Sequence, residues 1–129
     1  MFIRKILQYI SLFLLAINIF FILIFKCGFI STEKLTKMGS DSSDIFFALQ
    51  LYYLENNHYP DEKEGLAVLL PYMSDENQLI DVWGNPYEYT LVRKNNKLTI
   101  IIKSLGADNM PGGKKENKDK IFKEVIKLK

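Results

Sequence analysis

The pattern of hydrophobic and polar positions divides the chain into an apolar first segment and a mixed second part. Residues 6–25, between Lys5 and Lys26, form an uncharged run of 20 residues. A helix of that length spans about 30 Å, the hydrocarbon thickness of a bilayer. A cleaved signal peptide normally has a shorter apolar core that ends in small residues, whereas this run ends in isoleucine and phenylalanine. We therefore predict an uncleaved transmembrane anchor over residues 1–26.

A helix is the first element predicted after the anchor. Residues 27–40 hold two glycines and mixed charges, which favours a juxtamembrane linker or helix. Ser40, Asp41, Ser42 and Ser43 are typical N-cap residues and predict the start of a helix. The apolar residues that follow recur at spacings of three and four, which predicts a one-sided helical stripe. They are Ile45, Phe46, Leu49, Tyr52 and Tyr53.

The middle of the chain predicts a short helix and a β-hairpin. Residues 64–70 are apolar enough for a short helix that Pro71 closes. A turn at residues 84–86 precedes an alternation of apolar and polar side chains in residues 87–91, which is typical of a half-buried strand. Residues 94–97 are polar and predict a hairpin turn before the β-branched second strand, LTIIIK.

The C-terminal tail, IFKEVIKLK, fits two elements. Ile121, Phe122, Val125 and Ile126 have helical spacing, whereas residues 125–128 also fit an added strand. We favour the helix. The whole pattern predicts an α+β fold in which a long helix packs on a small antiparallel sheet.

Charge and composition argue against nucleic-acid binding and against a fold that depends on a disulfide. The net charge of +2 is the sum of opposite patches, because residues 27–113 hold twelve acidic and seven basic residues while residues 114–129 hold three and seven. This distribution does not favour nucleic-acid binding. Cys27 is the only cysteine, so the fold has no internal disulfide. Basic residues occur on both sides of the anchor, and they leave its orientation open.

No motif of a known catalytic or cofactor site occurs. The sequence has no CxxC, HExxH, Walker or glycine-rich phosphate motif. His58 is the only histidine, and we interpret it as a loop residue. Ser104 could form a triad with it on paper, but no motif context supports a nucleophile. We therefore expect that the protein is not an enzyme.

Four short blocks occur in order along the second part of the chain. They are Ala48-Leu49-x-x-Tyr52, Tyr59-Pro60 with Glu64-Gly65-Leu66, residues 81–87 (DVWGNPY) and residues 104–108 (SLGAD). In this order they resemble the major pseudopilin family of type II secretion, general secretory pathway protein G. The resemblance covers about residues 45–119.

The resemblance implies a type IV pilin-like fold, with residues 41–129 forming a head domain in the periplasm. It implies a single-pass anchor in the inner membrane and a structural role in a short periplasmic pseudopilus that drives protein export. The implied partners are other pseudopilins or secretion-machine subunits, membrane lipid and further copies of the chain, with no nucleic acid.

The resemblance also implies a calcium site in the loop that begins with SLGAD. Calcium prefers six to eight hard oxygen ligands. Carried over by position, the ligands are the carbonyls of Leu105 and Met110, the carboxylate of Asp108, and the side chains of Asn117 and Asp119. The family commonly has aspartate at position 117, where asparagine supplies an oxygen without a charge. Four lysines surround the same loop and oppose a cation: Lys114, Lys115, Lys118 and Lys120.

The N-terminal residues depart from the family pattern. The family begins with a short basic leader ending in glycine, then phenylalanine, and its apolar helix carries a glutamate at the fifth mature position. Here residues 1–6, MFIRKI, supply neither the leader nor the early acid. This departure leaves a second interpretation open, a membrane-anchored binding module that reuses the head domain without polymerising.

Overall fold

The computed structural model describes the backbone of residues 2–128 and the side chains of residues 6–23 and 32–128. The side chain of Cys27 lies outside these residues. The chain divides into two compact units, Met1–Thr36 and Lys37–Lys129.

The first unit is helical. Helix α1 covers Phe2–Asn56 and therefore also extends into the second unit. Among the described residues, Ile6–Leu23 is the one stretch that is long and apolar enough to cross a membrane, with a mean hydropathy of 2.4. Its side chains are exposed in the protein alone. A helix satisfies its own backbone hydrogen bonds, so such a segment is suited to lipid.

Helix α1 does not begin at the predicted N-cap. The backbone is helical throughout residues 27–40 and through Ser40–Ser43, so the start predicted there is wrong. The hydroxyls of Ser42 and Ser43 donate to the carbonyl of Gly39, at 2.9 and 3.0 Å. Serines inside a helix use such bonds to preceding carbonyls in place of a capping role. Helix α1 ends at Asn56, and Asn57 takes a left-handed φ of 61°.

The second unit contains a three-stranded antiparallel sheet. Its strands are β1 (Glu88–Lys94), β2 (Lys97–Ser104) and β3 (Lys120–Lys127), in the order β1-β2-β3. Asn95 and Asn96 form the two-residue β1–β2 turn with φ of 49° and 58°. Asparagine tolerates this left-handed conformation, which suits the turns that join twisted strands. The predicted hairpin is therefore confirmed.

The prediction of a helix in the tail is wrong. Residues 120–127 form β3 and pair with β2 along its whole length, from Ser104↔Lys120 to Lys97↔Lys127. Phe122 and Ile126 pack against the core, while Ile121 and Val125 lie on the other face and are exposed. The apolar residues of the tail thus lie on two faces of a strand, a spacing that also fits one side of a helix.

The core lies between α1 and the inner face of the sheet. Alternate residues of β2 are buried, among them Ile100 and Ile102, and they belong to one cluster with the buried face of α1. The members from α1 are Met38, Ile45, Ala48, Leu49 and Tyr52. The stripe predicted from the sequence is therefore the buried face, except that Phe46 is half-buried and Tyr53 is exposed.

Two short 3-10 helices connect α1 to the sheet. The first covers Ala67–Tyr72 and contains Pro71, so the short helix predicted for residues 64–70 lies further along and is not closed by the proline. The second covers Glu76–Leu79. Leu66 and Leu69 contribute to the core from this segment.

Candidate functional site

The candidate site is the loop of residues 105–119 between β2 and β3. The Ser104↔Lys120 pair holds both ends of this loop together where β2 ends and β3 begins. The loop contains all five residues predicted to bind calcium. Its geometry depends on a second segment, the turn of residues 81–85.

Asp81 organises the turn of residues 81–85. Its buried carboxylate accepts hydrogen bonds from the backbone N–H groups of Trp83 and Asn85, at 3.0 and 2.9 Å. The backbone of Asp81 also donates to the carbonyl of Asn85 at 2.7 Å and accepts from Gly84 at 3.0 Å. Aspartate commonly stabilises a turn by accepting from the N–H two residues further on.

The turn is bonded directly to the start of the loop. The Ser104 hydroxyl donates to the Asp81 carboxylate at 2.5 Å, and the same hydroxyl accepts from the N–H of Gly106 at 3.2 Å. The Asn85 side-chain amide donates to the carbonyl of Gly106 at 3.1 Å. Two of the sequence blocks, DVWGNPY and SLGAD, therefore form one hydrogen-bonded unit.

The loop closes on itself through its backbone. Ala107 donates to the carbonyl of Glu116 at 3.0 Å, and Asp119 donates to the carbonyl of Gly112 at 3.1 Å. Gly106 has a φ of 76°, and a β-carbon there would lie 2.7 Å from the backbone of Asn117. The close approach and the left-handed φ both require glycine at this position. Gly113 approaches the backbone of Asn117 in the same way.

The predicted calcium ligands are distributed along this closed loop. The carboxylate of Asp119 accepts from the N–H of Gly112 at 2.9 Å, and that of Asp108 accepts from the N–H of Met110 at 3.2 Å. Asn117 lies against the two close-approach glycines, and Leu105 is buried at the start of the loop. The structure thus brings Asp119 against Gly112 and Asn117 against Gly106 and Gly113.

The residues present fit calcium by the chemistry of their donors. The set offers two carboxylates, one amide oxygen and two backbone carbonyls, and calcium takes ligands of these kinds. The described residues contain no group of three or more His, Cys, Asp or Glu that could hold a metal. The predicted set includes only two such residues, so it does not depend on a cluster of that kind.

A second buried polar group lies on α1. Asp41 is buried and accepts from Lys37 Nζ at 2.7 Å and from the Tyr87 hydroxyl at 3.2 Å. Burial and the neighbouring Asp41 charge raise the pKa of Tyr87 well above its usual range. This cluster joins α1 to the residue that precedes β1, which gives it a structural role.

The residues that position the loop were missed in the sequence analysis. Asp81 and Asn85 were noted only as parts of a turn and of a sequence block. A signal for Asp81 was present, since an aspartate two residues before the N–H that it caps is typical of a turn. Its partner Ser104 lies 23 positions further on, and no local pattern indicates such a contact.

The fold and the loop define a class of protein. An apolar N-terminal helix, a long helix packed on a three-stranded antiparallel sheet and a closed loop after β2 are the features of a type IV pilin-like protein. The profile of the family described as "Type II secretion system (T2SS), protein G" matches residues 30–122. The chain belongs to this family and is a pseudopilin component of a type II secretion system.

Three relatives support the assignment, and each is named type II secretion system core protein G. The Pseudomonas aeruginosa protein is 31% identical over 99 residues, covering 67% of this chain and 68% of the relative. The Pectobacterium carotovorum protein is 34% identical over 89 residues, covering 59% and 56%. The Vibrio cholerae protein is 36% identical over 78 residues, covering 51% and 52%. The matches thus span between about half and about two thirds of these relatives. With the apolar helix, they indicate an inner-membrane-anchored protein that works with other secretion-machine subunits.

Proposed function

We propose that the protein is a subunit of a short periplasmic pseudopilus that drives protein export. The observation that carries this proposal is the match of the secretion family to residues 30–122, downstream of an apolar helix whose side chains are exposed over residues 6–23. In this proposal the helix crosses the inner membrane once, and the head of residues 41–129 lies in the periplasm. Its role is structural rather than enzymatic.

The partners in this proposal follow from the exposed apolar surface. The side chains of residues 6–23 are exposed among the described residues, so lipid or the equivalent helix of another subunit would cover them. The helix partners are other pseudopilins and further copies of this chain. Nucleic acid is not among the partners.

We further propose that the loop binds one calcium ion. The carbonyls of Leu105 and Met110, the carboxylate of Asp108, and the side chains of Asn117 and Asp119 would hold it. Two observations support the proposal: the donors are all oxygens, and the loop is already closed by its backbone and by two glycines in close approach. When bound, the ion would supply positive charge to the carboxylates of Asp108 and Asp119 and would stiffen the loop.

A second candidate function is a membrane-anchored binding module that does not polymerise. It is favoured by one observation on the sequence: residues 1–32 contain no acidic residue, so the apolar helix lacks the glutamate that the family uses in assembly. In this alternative the head binds one partner protein, and the anchors of separate copies do not associate.

Disulfide cross-linking from the anchor distinguishes the two functions. The variant carries Leu15→Cys in a Cys27→Ser background, and the full chain is oxidised in membranes together with the other secretion subunits. A single cysteine joins two subunits only, so a second variant adds Leu12→Cys. A pseudopilus subunit gives homodimers with the first variant and a ladder of homo-oligomers with the second. A monomer, or one band with a different protein, contradicts polymerisation and supports the binding module.

A further inference from the structure

The head has an uneven distribution of charge along its sequence. Residues 41–92 contain ten acidic residues and one lysine, for a net charge of −9. Residues 93–129 contain eleven basic and four acidic residues, for a net charge of +7. The division falls within β1. The acidic residues therefore lie mainly before the sheet, and most of the basic residues lie on its strands.

The outer face of the sheet is the basic surface. The residues of this face alternate with those that enter the core, and the register places Lys94, Lys97 and Lys127 side by side across the three strands. Lys123 and Lys103 lie on the same face. Among the side chains that the structure describes, only Lys103 of these five has an ion-pair partner, Glu88 at 2.7 Å.

The row of three lysines costs stability. Side chains directly opposite each other on neighbouring strands have β-carbons about 5 Å apart, and like charges there destabilise the sheet. Lysines are common on edge strands, where they prevent aggregation. That role accounts for Lys94 on β1 and Lys127 on β3, but Lys97 is on the central strand, which has no open edge.

Apolar side chains lie beside the lysines on this face. Val92, Ile121 and Val125 are exposed by 42%, 52% and 57%. Val92 and Val125 flank Thr99 in the row next to the three lysines. Exposed aliphatic groups beside a row of positive charges are suited to a partner surface that is acidic and partly apolar.

The same chain carries an acidic surface that is already ordered. The Asp61 carboxylate accepts from the N–H groups of Lys63 and Glu64, and the Glu64 carboxylate accepts from the N–H of Asp61, all at 2.8 Å. These reciprocal bonds form a capping box. They fix an exposed acidic turn of residues 61–64, which also carries Glu62.

The acidic turn cannot reach the lysine row of its own head. The Tyr89 hydroxyl donates to the carbonyl of Pro60 at 2.9 Å, so the turn lies near the start of β1 and on its inner side. Lys94 is five residues further along β1, about 17 Å away at the rise of an extended strand, and on the opposite face. The two charged surfaces therefore remain available for contact between molecules.

We propose that the outer sheet face of one copy binds the acidic turn, residues 61–64, of a second copy. The contact is heterologous, so each head offers one face of each kind and can bind two neighbours. This proposal deepens the pseudopilus function and rests on it, because it names a contact between successive heads.

Cross-linking between two single-cysteine variants tests the contact. Both variants keep the three lysines of the row and the acidic residues of the turn. Both are full-length chains in a Cys27→Ser background, one with Thr99→Cys on the sheet face and one with Lys63→Cys in the acidic turn. Differently sized tags distinguish them in mixed membranes. The expected product is the mixed dimer, at least about fivefold above either variant alone. Raising the ionic strength from about 0.01 M to about 1 M shortens the screening length from roughly 30 Å to roughly 3 Å, so the yield falls.

Charge exchange provides the second arm of the test. Lys94→Glu, Lys97→Glu and Lys127→Glu together should abolish the mixed dimer, whereas changing the same three lysines to arginine should preserve it. Glu62→Lys in the partner leaves the reciprocal bonds of Asp61 and Glu64 intact and should restore part of the dimer with the reversed face. If the reversed face does not fold, the cysteine pair, which keeps the three lysines of the row and all acidic residues of the turn, still decides the question.

Three outcomes would overturn the proposal. Equal dimer from Thr99→Cys alone would show that two sheet faces meet each other. Capture of a different acidic protein by the sheet face, with no mixed dimer, would assign the face to that partner. A ladder from the anchor cysteines without any mixed head dimer would reject this contact and leave the pseudopilus function intact, whereas loss of the anchor ladder alone would reject the function.

Discussion

The Ser104 hydroxyl and the Asp81 carboxylate lie 2.5 Å apart, and both side chains are buried. This bond joins the last residue of β2 to a turn 23 residues earlier in the chain. The same hydroxyl accepts from the N–H of Gly106, so Asp81 positions the start of the loop through Ser104. The loop and the turn therefore act as one structural unit, and changes in either should affect both.

Replacing Asp81 should destabilise the head strongly. Asp81→Ala removes the acceptor for two backbone N–H groups and one hydroxyl, and each buried donor left without a partner costs about 1–3 kcal/mol. We expect a loss of about 3 kcal/mol in the free energy of unfolding, measured by chemical denaturation of the full chain in detergent. Trp83, the only tryptophan, reports on this turn.

Two further variants control that measurement. Ser104→Ala should cost about 1–2 kcal/mol, and the double variant should cost less than the sum, because the two residues share one bond. Glu62→Ala changes an exposed acidic residue outside the turn of residues 81–85 and should change stability by less than about 0.5 kcal/mol. Strict additivity of the Asp81 and Ser104 effects would contradict the proposed coupling.

Gly106 and Gly84 form a matched pair for testing the closed loop. Both have left-handed φ values, 76° and 87°, but a β-carbon at Gly84 would meet no atom within 4 Å. Gly84→Ala should therefore cost about 1–2 kcal/mol for the backbone conformation alone. Gly106→Ala adds a collision with the Asn117 backbone, which we expect to cost about 2 kcal/mol more. Equal losses in thermal or chemical unfolding would show that the loop does not close on Asn117.

Calcium should stabilise the head if the loop binds it. At a free calcium concentration about 100 times the dissociation constant, the free energy of unfolding should rise by about 2.7 kcal/mol. Asp119→Asn should weaken binding, because it removes a charge but keeps an oxygen, and Asn117→Asp should strengthen it. Calorimetry and melting with and without chelator measure both effects.

The control for the calcium experiment is Asp75→Asn, which makes the same change in the cap of the second 3-10 helix, outside the loop. It should leave the calcium response unchanged. A melting temperature that is indifferent to calcium in the unaltered chain would exclude the site.

Stability should fall at alkaline pH because of Tyr87. Burial and the Asp41 charge raise its pKa in the folded state, while the unfolded value is about 10. Above pH of about 10 the unfolded chain loses this proton and the folded chain retains it, so the free energy of unfolding decreases as pH rises. Tyr87→Phe should cost about 1 kcal/mol at neutral pH through its lost hydrogen bond. It should also flatten the alkaline decline. An unchanged decline in the variant would assign it to other groups.

A charge in the apolar helix should prevent membrane insertion. An arginine near the centre of a spanning helix costs about 2.5–3.5 kcal/mol, so Leu14→Arg should shift the chain from the membrane fraction toward the soluble fraction after carbonate extraction. Leu54→Arg is the matched control, because Leu54 is also an exposed leucine of α1 but lies in the second unit. If both variants extract alike, residues 6–23 are not the anchor.

Residues whose local pattern has one solution were predicted well. The apolar helix follows from an uncharged run of 20 residues. Most of the buried stripe of α1 and the hairpin around Asn95 and Asn96 follow from local spacings. The tail did not, because Ile121, Phe122, Val125 and Ile126 satisfy both a helical and an alternating pattern. Pairing with β2 decides between them, and that partner lies outside the tail.

The position of the candidate loop was predicted from the sequence, but the hydrogen bonds that hold the loop in place were not. The positions of Asp108 and Asp119 came from resemblance to a family, whereas the bonds that hold the loop depend on contacts between distant segments. Asn85 and Gly106, for example, are 21 residues apart and meet through one side-chain amide. Such contacts become visible only when the sheet and the turn are placed together.

The order of strands also determines when the head can finish folding during synthesis. Every residue of the central strand β2 pairs with a residue of β3, and Phe122 and Ile126 of β3 complete the core. A nascent chain that ends before Lys120 therefore exposes one edge of β2 and part of the apolar surface of the core. The three-stranded sheet is therefore complete only when the chain has been synthesised through residue 127. Before that point, the unpaired edge of β2 and the exposed apolar surface are features that favour aggregation.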